Sequence, residues 1–241
     1  MRNETVTLVL PVYNEEENIE NVIRGFYSEI QGAVELQIVV AEDGSTDGTK
    51  AILAKLSEAI PVTVLTQKER LGYTGGLKRG IQEAKGDYIL FCDSDQQYFP
   101  NDFWRLYKAI NGCDMVDGWR IRRADTAFRR IMSQTFQFFA KALFGLGQIR
   151  DITAPYRLVR TDVAKMFASQ VKYMSESFWT EFTIRAVKGG ARVREVAVGH
   201  RLRPKGASVV YKPSKLAGIV QTQFKGMLRT WIEVRKNRAS S

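Results

Sequence analysis

Histidine and cysteine are almost missing from this chain. His200 is the lone histidine, and Cys92 and Cys113 are the two cysteines, spaced unlike any zinc ligand set. That argues against a Cys/His zinc centre, and both cysteines read as small apolar residues beside strands. No uninterrupted apolar run of about 18 residues occurs, so no segment crosses a bilayer unaided. Glu4 breaks the N-terminus early. The apolar run 6–12 is short, carries Pro11 and leads into acidic residues. It does not read as a signal peptide, and a cytosolic start is expected. Repeats, low-complexity tracts and linkers are missing too, which leaves one large domain with extensions.

What is present is a core and an uneven charge. The 241 residues are 44% apolar, ample for one sizeable α/β domain. The net charge is +10. Residues 1–100 hold 9 Lys+Arg and 16 Asp+Glu, a balance of −7, while residues 101–241 hold 27 and 10, a balance of +17. An acidic first half followed by a basic second half suggests that the second half meets a polyanion: nucleic acid, anionic lipid or pyrophosphate.

The first half alternates between strand and helix patterns. Strands are expected at 5–10, 36–41, 62–66 and 87–91, and helices at 15–30, 46–60 and 74–84, with Ser45 or Thr46 capping the second helix. That rhythm predicts a mostly parallel sheet with helices on both faces. Ligands of such sheets bind at the carboxyl ends of the strands. Three polar clusters, at 11–15, 42–45 and 93–97, fall at those ends. The second half is less regular: helices at 101–110, 127–145 (rich in Phe) and 212–236, and strands at 114–118 and 193–198.

Asp93-Ser94-Asp95 places two carboxylates at i and i+2 beyond a buried strand. Both can turn toward one cation, hard oxygen ligands suit Mg²⁺ or Mn²⁺, and Gln97 can add an amide oxygen. The same residues also favour plain solvated turns. Glu42-Asp43, followed by Gly44, can accept hydrogen bonds from a base or ribose. Asp47 or Ser45 has the simpler reading of a helix cap. The first strand runs into Pro11-Val12-Tyr13-Asn14-Glu15 rather than G-x-G-x-x-G, and Leu71–Lys78 lacks a G-K-[ST] ending, so a dinucleotide-binding or P-loop reading fits poorly.

These clusters, at these spacings, resemble family 2 glycosyltransferases of GT-A fold. The motifs are Pro11-Val12-Tyr13-Asn14-Glu15 with Asn18-Ile19, Asp43-Gly44-Ser45-Thr46-Asp47-Gly48-Thr49, and Asp93-Ser94-Asp95. The likeness covers roughly residues 5–210 and is strongest to the dolichol-phosphate mannosyltransferase branch and its bacterial polyprenyl-phosphate relatives. It rests further on Arg70-Leu71-Gly72, Gly118-Trp119-Arg120, Arg129-Arg130 with Ser133, Asp151 with Arg157, Glu181, and His200, Arg203 and Gly206-Ala207-Ser208. Three positions depart from that branch: Glu42, Ala154-Pro155-Tyr156, and Val209.

The resemblance implies a GT-A domain over 1–211, and the spacing beyond it predicts a basic amphipathic helix and tail over 212–241. The resemblance also implies Pro11, Tyr13, Glu15, Glu42, Asp43 and Ser94 around the nucleotide sugar, and Asp93, Asp95 and Gln97 around Mg²⁺ or Mn²⁺ and the diphosphate. Arg120, Arg130 and Arg203 would meet the donor diphosphate and the acceptor phosphate. A polyprenyl phosphate is already an anionic nucleophile, whereas a saccharide hydroxyl needs a base. Asp151 and Glu181 are the candidates for a base or acceptor contact, and each also reads as a structural partner of an arginine.

In the C-terminal helix, apolar Leu216, Ile219, Val220, Phe224, Met227, Leu228 and Trp231 are flanked by Lys212, Lys215, Lys225, Arg229, Arg235 and Lys236. Such a helix can lie in a membrane interface or pack on the domain. The expected function is inverting transfer of a hexose from a GDP-mannose- or UDP-glucose-type donor to polyprenyl or dolichyl phosphate, peripheral to the cytosolic membrane face. Transfer to a saccharide or other soluble acceptor is the alternative. A non-catalytic lipid- or nucleic-acid-binding protein is remote, because aromatics are not interleaved with Lys/Arg on strands. The choice of sugar and base, and whether the chain forms a homo-oligomer, stay open.

Overall fold

The computed structural model describes residues 4–67, 69–121, 127–204 and 216–239. Among them, β1 (Thr5–Val12), β2 (Glu35–Glu42), β3 (Val62–Leu65), β4 (Tyr88–Phe91), β5 (Met115–Arg120), β6 (Arg157–Arg160) and β7 (Val193–Val198) form one sheet in the order β3-β2-β1-β4-β6-β5-β7. β1 pairs in parallel with β2 and β4, β2 with β3, and β5 with β7, while β6 runs antiparallel between β4 and β5.

Period-two alternation in β1 sorts its side chains between two cores. Leu8 and Leu10 point into one, with Ile19, Ile23 and Phe26 of α1 (Ile19–Ile30), Leu53 and Leu56 of α2 (Thr49–Ala59), and Phe103 and Leu106 of α4 (Phe103–Ala109). Val9 points into the other, with Leu77 and Ile81 of α3 (Gly72–Glu83), Phe167 of α6 (Thr161–Gln170), and Trp179 and Phe182 of α7 (Phe178–Lys188). Burying each such side chain contributes roughly 1.5–3 kcal/mol before entropy is counted. A third cluster joins Ala140 and Phe144 of α5 (Ala127–Phe144) to Ile184 and to Met227 of α8 (Leu216–Ala239).

The mostly parallel α/β sheet matches the sequence expectation, and its second half adds to it. β6, α6 and α7 were not foreseen. β6 is only four residues, Arg-Leu-Val-Arg, too short to alternate visibly. α7 is buried nearly all round, including Thr180, Glu181, Thr183 and Arg185, so it carries no polar stripe to reveal a helical period. Several helix starts also shift, α1 from residue 15 to Ile19 among them, and two of the shifts have a visible cause. α2 begins at Thr49 rather than residue 46, because Ser45 and Thr46 are bonded to the Asn14 loop and the Asp47 carboxylate accepts from the Thr49 amide at 3.0 Å. α3 begins two residues early, at Gly72, whose φ of +71° suits glycine. Asp43 accepts from the Leu71 and Gly72 amides at 2.6 and 2.9 Å, so a strand end caps this helix from a distance.

α8 buries one face against the domain, through Gln223, Gly226, Met227 and Thr230. It leaves a second apolar row exposed at Phe224, Leu228 and Ile232. Packing on the domain accounts for Met227, with Trp231 and Val234 partly buried beside it. Lys212, Lys215 and residues 206–209 lie outside the described residues. Among those described, no helix is long and apolar enough to cross a membrane.

Candidate active site

The carboxyl ends of β1, β2, β4, β5 and β7, and the antiparallel start of β6, all lie along one sheet edge. That geometry collects Tyr13–Glu15, Glu42–Ser45, Asp93–Gln97, Trp119–Arg120, Asp151–Thr153 and His200–Arg203 there. Two non-glycine residues on this edge hold left-handed backbone, Asn14 (φ 54°) and Gln96 (φ 61°). Such strain persists where surrounding contacts impose it, commonly in ligand-binding loops. For Gln96 the contact is Arg201, whose Nε donates to the Gln96 carbonyl at 2.5 Å.

The 93–97 loop is tied down at several points. Ser94 Oγ donates to the Pro11 carbonyl at 2.9 Å, which spends that hydroxyl on loop placement. The Gln97 amide donates to Asp95 Oδ1 at 3.1 Å, and its side-chain Nε2 donates to the Arg201 carbonyl at 3.0 Å. Asp93 and Asp95 are both half-buried. Burial, then repulsion from Asp95, raises the Asp93 pKa from the usual 3.8 to about 7, against an opposing pull from the Tyr73 hydroxyl and Arg120. Two carboxylates pushed together in this way favour a cation. Among the described residues no group of three or more His, Cys, Asp or Glu is placed to enclose a metal ion. Mg²⁺-type sites fit that pattern, since they use one or two carboxylates and complete their shell with phosphate oxygens and water. The Asp93, Asp95 and Gln97 donor set is of the hard-oxygen kind such an ion takes.

In the cluster expected to meet the nucleoside, Glu42 is fully buried, with one oxygen accepting from the Ser45 amide and Oε2 buried with no hydrogen-bond partner. Arg70 lies 3.5 Å over the Tyr13 ring and 3.4 Å from Asp43. The Tyr13 face and the Asp43 carboxylate thus share one guanidinium. Pro11 pairs with Ala41 in the adjoining strand. Glu15 accepts from Asn18 at 2.9 Å and from Arg203 at 2.8 Å, and burial raises its pKa despite both. Arg203, expected at a phosphate, is thereby held at the edge by a carboxylate next to the loop.

Arg120 makes a two-pronged ion pair with Asp151, at 2.8 and 3.1 Å, and donates to Thr153 at 2.8 Å. Its charge reaches Asp93, so it faces the same centre. Arg130 stands exposed on the first turn of α5. His200 meets the edge of the Tyr98 ring at 5.2 Å. Glu181 sits away from these residues and takes the second of its two readings, as the structural partner of an arginine. It is fully buried, accepts from the Lys172, Tyr173 and Met174 amides at 2.8–3.0 Å, and pairs with Arg185 at 2.7 Å. Its oxygens anchor the 171–174 turn and leave no path to an acceptor.

Sequence reading missed Tyr73. The residue is 38% exposed, and its hydroxyl donates to Asp93 at 2.9 Å, while Trp179 donates to it at 2.7 Å. Burial, then the Asp93 charge, pushes the phenol well above its usual range, so it stays protonated. No sequence signal marks a pair 106 positions apart.

The family model for glycosyl transferase family 2 matches residues 7–167. The chain is similar to a polyprenol monophosphomannose synthase of Mycolicibacterium smegmatis, 31% identical over 83% of this chain and 79% of the relative. It is similar to a dolichol-phosphate mannosyltransferase of Pyrococcus furiosus, also 31% identical, over 62% of this chain and 44% of that protein, so it spans less than half of the latter's length. Among solved structures it resembles glucosyl-3-phosphoglycerate synthase from Mycobacterium tuberculosis in complex with UDP. The TM-score is 0.71 and the identity 19%, over 95% of this chain and 80% of that one, a likeness of fold. With the match spanning well over half of its length, this chain belongs to glycosyl transferase family 2.

Proposed function

We propose that the chain transfers one hexose, with inversion, from a nucleoside diphosphate sugar to a polyprenyl phosphate at the cytosolic face of a membrane. Asp93, Asp95 and Gln97 would hold Mg²⁺ or Mn²⁺. When bound, the ion would offset the negative charge that develops on the leaving diphosphate. Arg120 and Arg203, kept at the same edge by Asp151 and Glu15, would meet donor and acceptor phosphate oxygens, to which guanidinium groups bind in two-pronged fashion. Arg130 would reach the acceptor from α5. Pro11, Tyr13, Glu42 and Asp43 would bound the nucleoside, with Ser94 setting the distance between β1 and the loop.

The observation that carries the lipid-phosphate reading is the state of the two candidate bases. Asp151 is spent on Arg120 and Glu181 on Arg185. A saccharide hydroxyl needs its proton removed, whereas a phosphate monoester is ionised near neutral pH and attacks without help. The names of the similar proteins support the same substrate class: polyprenol monophosphomannose synthase, and dodecaprenyl-phosphate galacturonate synthase of Rhizobium johnstonii. A membrane surface fits the outside of the molecule. Phe138 and Phe139 of α5 and Phe224, Leu228 and Ile232 of α8 are exposed, and Phe139 meets Phe224 at 6.1 Å. Lys225, Arg229 and Lys236 stand on the same helix, and each cation near anionic lipid contributes about 1 kcal/mol.

Labelled UDP- and GDP-hexoses incubated with polyprenyl phosphate should give a product that partitions into organic solvent. Its formation should require Mg²⁺ or Mn²⁺ and stop on chelation. Label found solely on a soluble saccharide would remove the lipid acceptor. Metal binding should also follow pH. A ligating carboxylate must be ionised, and the Asp93 pKa near 7 lies above its ordinary value. Mn²⁺ affinity should therefore be level above about pH 7 and fall about tenfold per pH unit below it, read by paramagnetic resonance titration. A flat profile down to about pH 5 would contradict the assignment of Asp93.

A further inference from the structure

A chain of contacts runs from a buried ion pair to the Asp93 carboxylate. It starts at Arg157, fully buried, with Nη1 3.3 Å from Asp117 Oδ1 and both side chains closed to solvent. Arg157 Nε donates to the Ala154 carbonyl at 3.0 Å, and Nη1 donates to Thr183 Oγ1 at 3.0 Å. Partners from β5, from the turn before β6 and from α7 thus fix the guanidinium plane. Trp179 lies against that plane, with its ring centroid 4.4 Å from Arg157 Cζ. Phe91 and Phe178 meet the indole edge-on at 4.8 and 4.9 Å. The ring is held on three sides, and its single N–H donates to the Tyr73 hydroxyl at 2.7 Å.

The polarity of this chain is determined. An indole N–H only donates, and a phenol has one proton. Because the Tyr73 oxygen accepts from Trp179, its own proton goes to Asp93 Oδ1, 2.9 Å away. A carboxylate rotates easily about its last torsion, so a directed donor on one oxygen decides where the other points. Tyr73 also belongs to the first turn of α3, whose leading amides are held by Asp43. One helix end therefore joins the nucleoside side of the edge to the metal side.

We propose that Tyr73, oriented by Trp179 over Arg157, is a positioning residue that fixes the Asp93 carboxylate through Oδ1 and leaves Oδ2 for the cation. This rests on Asp93 being a metal ligand, as in the function proposed above. Hydrogen-bond partners of ligating groups commonly set metal affinity by about 10–100-fold. If Tyr73 merely filled space, phenylalanine would serve equally well.

The test is Mn²⁺ binding to the full chain without turnover, followed by paramagnetic resonance, with thermal melts as a check on folding. Tyr73→Phe should raise the Mn²⁺ Kd about tenfold with an unchanged melt. Trp179→Phe should raise it by less, since the phenol keeps a proton that can still find Asp93. The double variant should match Tyr73→Phe alone, because the indole acts through the hydroxyl. Tyr107→Phe removes a hydroxyl that bonds Glu4 at 2.8 Å on another part of the surface, and should leave Kd unmoved. Wild-type affinity in Tyr73→Phe overturns the proposal, and additive losses in the double variant overturn the part given to Trp179. Asp95→Ala separates the two levels. If it binds Mn²⁺ as the wild type does, or if the wild type binds none, the metal assignment fails and this proposal falls with it. If Asp95→Ala loses the ion and Tyr73→Phe keeps it, only the positioning role is wrong.

Discussion

Replacing Asp95 with alanine should stop turnover, by a thousandfold or more, while the protein stays folded. The size follows from the work asked of the ion: charge stabilisation of several kcal/mol at the leaving diphosphate, where about 1.4 kcal/mol is a factor of ten. The folding half follows from the loop. Asp95 is half-buried, and the backbone bond it accepts from Gln97 is one of several ties on 93–97, the Ser94 and Arg201 bonds among them. Losing its charge also relieves the repulsion that helps to raise the Asp93 pKa, so no stability is surrendered there. Initial rates with Mn²⁺ and a thermal melt on one preparation read both halves. Retained turnover would refute the metal assignment, and a collapsed melt would show the loop to be structural instead.

Arg157→Leu should be the most destabilising single change near the site. Removing one partner of a buried pair leaves an uncompensated charge and typically costs 3–5 kcal/mol. Here the deficit should depend on pH. Burial has raised the Asp117 pKa from the usual 3.8 to about 6 even with Arg157 pulling it down. A carboxyl whose folded pKa lies above its unfolded one binds more protons in the native state between the two values. Its contribution to stability is complete below about pH 4 and is lost as pH rises through about 6. Without Arg157 the folded pKa moves higher and the window widens. The variant should therefore lose most at about pH 8 and least at about pH 5, as urea midpoints would show. An equal loss at both would mean that Asp117 does not titrate in the native protein. Mn²⁺ affinity should weaken as well, through the freed indole of Trp179.

Much of the candidate site is legible in the sequence, because its residues cluster locally. Asp93, Asp95 and Gln97 lie within five positions, and the strand rhythm of the first hundred residues puts them at the ligand edge. Glu42-Asp43 was placed for the same reason. Its second task, capping α3 through Leu71 and Gly72, was not readable, because that contact spans 28 residues. Tyr73 and Trp179 were hidden for the same physical cause: their partners are set by how α3 and α7 pack on the sheet, not by spacing. The choice between the two readings of Glu181 was hidden for a different reason. Glu181 and Arg185 stand four apart on one helix, the ordinary spacing of an intrahelical pair. That signal needed α7 to be recognised first, and a helix buried on every side shows no polar stripe. The C-terminal helix offered two readings; it packs one face on the domain and leaves a second apolar row exposed.

The most direct test of the donor site is a thermal-shift screen of UDP, GDP and CDP sugars, each with and without Mn²⁺, on the wild type and on Asp95→Ala. A ligand present at about a hundred times its Kd stabilises the native state by about 2.7 kcal/mol, a shift of a few degrees for a chain of this size. If the 93–97 loop holds a metal-bridged diphosphate, one nucleotide sugar raises the wild-type melting point only when Mn²⁺ is present, and Asp95→Ala shows no such rise. Equal stabilisation without the ion, or in Asp95→Ala, would contradict it.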